Sequence, residues 1–296
     1  MPPVIVILGA TAVGKTELSL DVAQALDAEI INADSMQLYR GMDIGTAKIP
    51  VGERRGVPHH MFDVLDVTEA ANVADYQVEA RRAIDDTHAR GKRALLVGGS
   101  GLFIQAVLED LQFPGSDPDI RQRLNEEAEQ LGTTAMYERL KQLDPAAAAN
   151  VLPNNLRRII RALEVLEITG SAPKTSLVKL PDVHTSIRIG LQRPRPELAQ
   201  RIEARVNQMW EQGFVEEVEY LDSQGLRNGL TASKALGYSQ ILEALDGHIT
   251  MSEAAQDTVV ATRRFAKRQD SWFGRDSTIN WLDAESASLE AVLALL

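Results

Sequence analysis

The sequence predicts an α/β fold: a parallel sheet flanked by helices, carrying an inserted all-helical domain. Three features point there. Val4-Ile5-Val6-Ile7-Leu8 is a short apolar run suited to a strand buried on both faces, followed by a glycine-rich turn and a helical repeat. Strand texture then alternates with helical texture, as the crossovers of a parallel sheet require. Between residues 113 and 183 the alternation stops and only helical spacing remains. The expected division is a core of residues 1–112 and 184–296 with a helical insertion of residues 113–183.

The glycine-rich turn reads Gly9-Ala10-Thr11-Ala12-Val13-Gly14-Lys15-Thr16, which is G-x-x-x-x-G-K-T. Leu18, Val22 and Leu26 recur behind it at four-residue steps, one buried helical stripe. Strand, this motif, then helix is the P-loop in its confirming context, so the core is P-loop NTPase-like. Backbone amides curl round an anion there, and the helix N-terminus adds its dipole. Lys15 supplies a point charge to a phosphate oxygen, and the Thr16 hydroxyl suits a Mg²⁺ ligand. A tight turn that happens to be glycine-rich would not need the lysine, the threonine and both flanks. The motif binds a di- or triphosphate, and taken alone it would announce ATP.

Composition narrows the remaining classes. The chain has 296 residues, 44% hydrophobic and 25% charged, which suits a globular protein of about two domains. No apolar run approaches the about 18 residues of a membrane span, and no signal-peptide pattern precedes Val4. A cytoplasmic protein without membrane contact is expected. The absence of cysteine removes disulfides, thiolate zinc sites and cysteine nucleophiles. The formal net charge of −11 argues against indiscriminate nucleic-acid binding. Residues 152–205 nevertheless hold ten Lys/Arg against five Asp/Glu, so the charge is segregated.

Ala28–Asn32 reads as the second strand and delivers Asp34 to its carboxyl end, the side on which ligands sit in such sheets. The same aspartate would also serve as a turn or cap residue. Residues 38–60 are too rich in Gly and Pro for long elements, and a loop of that length beside a phosphate site is usually functional. His59, His60, Asp63 and Asp66 resemble a metal cluster, but their spacing aligns only on a helix. Met61–Val67 reads as strand or loop, so structural hydrogen bonds are expected of the histidines. Val73–Ala89 is a helix with Val73, Tyr76, Ala80, Ile84 and Thr87 on one side. Arg93–Val97 is a strand that runs into Gly98-Gly99-Ser100. A hydrolytic P-loop enzyme would place a carboxylate at such a strand end, which argues against an ATP-driven motor.

In the insertion, Ile120, Leu124, Ala128 and Leu131, then Tyr137 and Leu140, have helical spacing. Leu156, Ile159, Ile160, Leu163 and Leu166 form a further amphipathic helix closed by Gly170 and Pro173. Arg157, Arg158 and Arg161 sit on it, either as an RNA-facing patch or as a solvated face. Ile187–Leu191 returns to strand texture. Leu198, Ile202, Val206 and Met209 then mark a helix with Arg201 and Arg205 on another face. Thr250 and Glu253 form a capping-box signature. The helix it opens turns Ala255, Val259, Thr262, Ala266, Gln269 and Phe273 to one side and Arg264, Lys267, Arg268 and Arg275 to another. Ile279–Leu282 reads as an edge strand, followed by a terminal helix.

Two chemistries satisfy a phosphate cradle with a strand-end carboxylate. A small-molecule kinase would use Asp34 to take the proton of an attacking hydroxyl. Alternatively the phosphates are the leaving group, and Asp34 activates a weak nucleophile that displaces them. The residues alone leave both open.

The sequence resembles the tRNA dimethylallyltransferases (tRNA isopentenyltransferases) almost from end to end. Besides the P-loop, the matching segments are Asn32–Tyr39 (N-A-D-S-M-Q-L-Y), Asp43–Lys48 (D-I-G-T-A-K), Val57–His60 and Val97–Leu102. Arg158–Val165, Lys234–Tyr238 and Thr262–Gln269 (T-R-R-F-A-K-R-Q) with Trp272 complete the set. The resemblance implies transfer of a dimethylallyl group from dimethylallyl diphosphate to the exocyclic N6 amine of adenine 37, beside the tRNA anticodon. It implies a diphosphate held by Gly9 and Thr11 to Thr16, with Mg²⁺ as cofactor near Thr16. Asp34 is then the general base, Ser100 lies near the reacting amine, and Arg205 helps hold the diphosphate. Asp34, Ser35, Met36 and Gln37 would contact the flipped adenine. Arg121, Arg157, Arg158, Arg161, Gly237, Lys267, Arg268 and Gln269 would contact the anticodon stem-loop.

The chain departs from the family pattern at Ala10, Val13, Ser100, Phe103 and Asn155, but keeps Asp34, Lys15 and Thr16. Lacking the cysteines of a zinc finger, it resembles the bacterial members, and a monomer is expected. The rival readings are an adenylate isopentenyltransferase acting on free nucleotide and a P-loop kinase.

Overall fold

The computed structural model describes residues 2–170 and 181–296. It divides into two compact units, one of Met1–Asp110 with Asp182–Leu296 and one of Leu111–Pro181. Pro173, expected to close a helix, lies outside the described residues.

The larger unit is built on six parallel strands. These are β1 (Val4–Gly9), β2 (Ala28–Asn32), β3 (His59–His60), β4 (Arg93–Gly98), β5 (Ser186–Gln192) and β6 (Asn280–Asp283). Their spatial order is β3-β2-β4-β1-β5-β6, with Ile5 opposite both Leu95 and Ile187. Ile5 and Ile7 point into one apolar layer, while Val4, Val6 and Leu8 point into another. Alternate residues enter opposite layers and all are apolar, which explains the unbroken hydrophobic run of β1.

Helices α1 (Lys15–Leu26), α2 (Val73–Ala89) and α3 (Gly101–Leu108) cover the first half of the sheet. The smaller unit consists of α4 (Pro118–Leu143), α5 (Pro145–Ala149) and α6 (Leu156–Thr169). The chain then supplies α7 (Arg195–Glu211), α8 (Phe214–Ser223), α9 (Tyr238–Leu245), α10 (Met251–Phe273) and α11 (Leu289–Leu293). No helix among the described residues is long and apolar enough to cross a membrane.

Several expectations need correction. Of the two readings of Met61–Val67, strand or loop, the loop is observed: pairing with β2 occurs at His59–His60, and residue 65 makes a single bridge to Tyr39. Leu131 is exposed rather than on the buried stripe of α4, because Gly132 (φ 80°, ψ 163°) interrupts the helix and rotates the stripe to Met136 and Leu140. The buried side of α10 begins at Ala254 and Thr258, one residue earlier than expected, and rejoins the expected face at Ala266, Gln269 and Phe273. The capping box is formed, with Thr250 accepting the Glu253 amide and Glu253 accepting the Thr250 amide.

The histidines are structural. His60 Nε2 lies 2.6 Å from Glu29 Oε2, and His59 Nδ1 lies 2.8 Å from the Val57 carbonyl. The Arg90 guanidinium and His60 hold the buried Glu29 carboxyl down at about 2. Among the described residues no group of three or more His, Cys, Asp or Glu is placed to hold a metal ion.

Both ends of the inserted segment are fastened inside the larger unit by one buried cation. Arg188 on β5 reaches Asp182 at 2.8 Å, Asp276 at 2.6 Å and the buried Glu109 at 3.4 Å. Glu109 and Asp182 also pair as an antiparallel bridge. Arg188→Met would strand the Glu109 carboxylate without a counter-charge and is expected to cost about 3–5 kcal/mol. A urea titration against the unaltered chain measures it; an unchanged midpoint would refute this role.

Candidate active site

Three loops leave the carboxyl edge of the sheet side by side, because β4 lies between β1 and β2. They carry the P-loop, Asp34 and Ser100. This edge is where open parallel sheets bind ligands.

The P-loop turns through Ala12 (φ 63°) and Gly14 (φ 120°), both in the left-handed region. Gly14 precedes α1, and no side chain caps the helix. The first amides of α1 therefore remain available to an anion. Lys15 Nζ donates to the carbonyls of Gly9 at 3.0 Å and Ala10 at 2.8 Å. Burial lowers the Lys15 pKa to about 8, partly opposed by the charge of Asp34 and reinforced by that of Arg205.

Two arginines brace the outside of the loop. Arg201 Nε donates to the Ala12 carbonyl at 2.9 Å and Arg193 Nε to the Val13 carbonyl at 3.4 Å. Arg205, one turn beyond Arg201 on α7, is half-buried and forms no ion pair among the described residues. Burial and the neighbouring Arg201 lower its pKa. Among the arginines described beside the loop, Arg205 is left free to meet an anion.

Asp34 is held by its backbone. Its amide donates to Asn32 Oδ1 at 2.9 Å, and Asn32 Nδ2 returns a bond to the Asp34 carbonyl at 3.0 Å. Asn32 Nδ2 also donates to the Met61 carbonyl at 3.0 Å, so this buried amide spans two loops. The carboxylate accepts the Met36 amide at 3.0 Å. Desolvation raises the Asp34 pKa above its ordinary value, against the pull of the Met36 amide, the Lys15 charge and the Gln37 amide. A carboxyl pushed upward in this way is a better proton acceptor than a solvated one.

Ser100 stands before α3 without capping it. Its hydroxyl instead accepts the Ser35 amide at 3.1 Å and lies 3.4 Å from Ser35 Oγ. Its own amide donates to the Ala33 carbonyl at 3.1 Å. The lone hydroxyl of Ser100 thus fixes the residue after Asp34. Gln37 is tied by its side chain to the Thr46 carbonyl at 3.0 Å.

The Asp43–Lys48 segment is a frame for that loop. Glu217 on α8 accepts the amides of Asp43, Ile44 and Gly45 at 3.1, 2.7 and 3.2 Å, and the Tyr238 hydroxyl at 2.5 Å. The buried Lys48 ammonium reaches the Tyr39 carbonyl at 2.7 Å, Asp43 at 2.7 Å and Asp63 at 2.6 Å. Phe214 packs edge-on against Tyr238 beneath it. Sequence reasoning found neither Glu217 nor Asn32 as supports; a polar residue ending an apolar strand was the signal for Asn32.

Four residues expected to contact RNA are engaged internally. Gln269 is buried: its Oε1 accepts the Thr11 amide and its Nε2 donates to the Gly99 carbonyl, each at 2.9 Å. The Thr11 amide is therefore spent on Gln269 and not free for phosphate. Gly237 is also buried, with φ 85°, and its amide donates to Gln240. Arg121 and Arg161 share the buried Glu164, at 2.5 and 2.9 Å, and Arg161 also binds the Pro114 and Gly115 carbonyls. Arg157, Arg158, Lys267 and Arg268 are exposed and, unlike Arg121 and Arg161, form no ion pair among the described residues. Asn155, one of the departures from the resembling family's pattern, accepts the Arg158 amide as the cap of α6.

The IPP transferase family model matches residues 37–276. A tRNA dimethylallyltransferase of Thermobifida fusca is 55% identical over 294 residues, covering 98% of this chain and 92% of that protein. One from Streptomyces coelicolor is 54% identical, covering 95% and 90%. The chain belongs to the tRNA dimethylallyltransferase family. Solved structures agree: the tRNA isopentenylpyrophosphate transferase of Bacillus halodurans superposes with a TM-score of 0.73 at 39% identity, covering 99% of this chain and 94% of that one. A eukaryotic dimethylallyltransferase captured acting on tRNA superposes with a TM-score of 0.81 at 30% identity, covering 95% of this chain and 73% of that one. As a member of that family, the chain is a transferase.

Gln269 provides a direct check on this geometry. Gln269→Ala leaves the Thr11 amide and the Gly99 carbonyl unpaired and is expected to weaken inorganic pyrophosphate binding about tenfold. Titration calorimetry without RNA measures it. Unchanged affinity would return Gln269 to the RNA-contact role.

Proposed function

We propose that the chain transfers a dimethylallyl group from dimethylallyl diphosphate to the N6 amine of adenine 37 in tRNA and releases diphosphate. One observation carries the reading: a desolvated carboxylate, Asp34, stands within electrostatic reach of Lys15 in the P-loop cradle. The adenine amine is conjugated with its ring and nucleophilic only as its proton departs. Asp34 accepts that proton. The allylic carbon gathers positive charge as the carbon–oxygen bond to diphosphate breaks, so the departing anion must be stabilised most strongly in the transition state. Lys15, Arg205 and the free amides at the start of α1 do this. The target base leaves its stack to reach Asp34, as in other base-modifying enzymes.

Mg²⁺ fits as a partner of the diphosphate. The exposed Thr16 side chain offers a hard oxygen beside the cradle, and with no cluster of ligating side chains among the described residues the remaining ligands would be phosphate oxygens and water. Bound there, the ion would supply further charge to the leaving group.

The decisive test offers unmodified tRNA with labelled dimethylallyl diphosphate, and separately labelled ATP, in Mg²⁺ buffer. Label on tRNA from the first supports the proposal. Phosphoryl transfer from ATP, or alkylation of free adenine nucleotide without tRNA, would replace it with one of the rival readings.

Asp34→Ala should then lower the rate roughly 10²–10⁴-fold with tRNA affinity little changed. In the unaltered enzyme, kcat/KM for the diphosphate should rise with pH through a value above the ordinary carboxylate range, as Asp34 loses its proton. It should fall as pH passes about 8, where Lys15 becomes neutral in the free enzyme. A profile flat from pH 4 to 9 would remove both groups from the reaction.

The RNA-facing charge of the helical unit is assigned to Arg157 and Arg158. Reversing both to Glu should weaken tRNA binding and flatten its salt dependence. Reversing Arg161 should instead lower stability, since it anchors Glu164 and the Pro114–Gly115 carbonyls. Affinity measured between 50 and 200 mM salt separates the two; an unaltered slope in the double variant returns those arginines to a solvated face.

A further inference from the structure

The basic stripe of α10 has an indole in its midst. Lys267, Arg268, Ser271, Trp272 and Arg275 line an open groove of about 260 Å³. The three cations are exposed and form no ion pair among the described residues; Arg268 rests over the Phe265 ring at 5.6 Å. In a chain of net charge −11, such a convergence favours a polyanion.

Trp272 is 41% exposed, yet it is firmly seated on one side. Its five-membered ring lies against Gly101 at the start of α3. A Cβ at that position would come within 2.2 Å of the indole Cδ1 and 2.3 Å of Nε1. Only glycine lets the ring rest there, one residue from Ser100, whose hydroxyl holds the loop that carries Asp34.

We propose that this groove is a stacking subsite for one unpaired nucleotide of the RNA, a neighbour of the target adenine. Its base lies on Trp272, and its flanking phosphates meet Lys267, Arg268 and Arg275. The inference takes its substrate class from the function proposed above. Drawing the target adenine out of the loop uncovers a face of the adjoining base. The indole covers that face, and the cations track the backbone on either side. Every base has a π-face, so the subsite positions the loop without reading its sequence. A free nucleotide, whose single base would occupy the Asp34 site, has no second base to place here.

The test measures binding of an unmodified anticodon stem-loop RNA without dimethylallyl diphosphate, by fluorescence anisotropy. Trp272→Ala should weaken binding roughly 5- to 150-fold, and Trp272→Phe, which keeps a π-face, should recover most of the loss. Arg275→Gln should lower the salt slope by about one, whereas Trp272→Ala should leave it unchanged. In the unaltered protein, 5-iodouridine placed at one loop position at a time should photo-crosslink to Trp272 from a position other than 37. That arm remains decisive if Trp272→Ala does not fold. Equal affinity of a folded Trp272→Ala protein, or no adduct on Trp272 from any position, overturns the proposal. RNA bound at Trp272 but never alkylated would remove the function and leave the subsite standing. Alkylation without the adduct would do the reverse.

Discussion

The site rests on two opposite charges held where water is scarce. Burial pushes the Asp34 pKa up and the Lys15 pKa down to about 8, and in each case it outweighs the attraction between them. Both groups are therefore biased toward neutrality in the free protein. On the function proposed above, an arriving diphosphate would reverse the bias on Lys15 by supplying the missing counter-charge. Asp34 keeps the basicity that burial gives it. Solvating the pair would return both groups toward ordinary values and forfeit the gain, so the surrounding structure has to exclude water and fix distances together.

Backbone contacts do most of that fixing. Asn32 clasps both sides of the Asp34 peptide, Ser100 holds the Ser35 amide, and Gln269 joins Thr11 to Gly99. None of these bonds belongs to the sheet, and each spans a gap that strand pairing leaves open. Behind the Asp34 loop, Glu217 and Lys48 organise Asp43–Lys48, which in turn holds Gln37. Such shells keep a catalytic group within the narrow tolerance that chemistry needs. The departures from the family pattern are compatible with this arrangement. The Ser100 side chain meets the Asp34 loop through its hydroxyl alone, and Asn155 needs only an acceptor oxygen to cap α6.

Elements with a strong period were legible in the sequence. The β1 run, the P-loop, the Val73–Ala89 helix and the Thr250–Glu253 cap all stand where patterning put them, because each is set by local burial or local hydrogen bonds. Helices α8 and α9 and the apolar cluster they build were not read. Their packing around Phe214 and Tyr238 is long-range and leaves a short, irregular pattern in the chain. For the site, Lys15 and Asp34 were singled out by their chemistry and their places after strand ends, whereas Ser100 and Arg205 were named only through the family resemblance. Their supports escaped because an amide such as Gln269 looks the same in sequence whether it faces RNA or the P-loop. The D-I-G-T-A-K segment shows the same limit: a highly specific motif here describes a scaffold around Lys48 and Glu217.

Helix α10 shows how one turn can serve two faces. Lys267 and Arg268 point to solvent, and the next residue, Gln269, points inward to the P-loop; Trp272 then returns to the surface. With about 100° between successive residues, outward cations and an inward amide sit back to back on the same turn. Any axial shift of α10 that adjusts the cations also carries the acceptor of the Thr11 amide and the donor to Gly99. Close packing leaves no slack to absorb it, since Ala266 and Phe273 on either side of Gln269 are buried. The surface proposed to meet RNA and the amide that braces the P-loop are thus parts of one rigid element, and neither can be repositioned independently of the other.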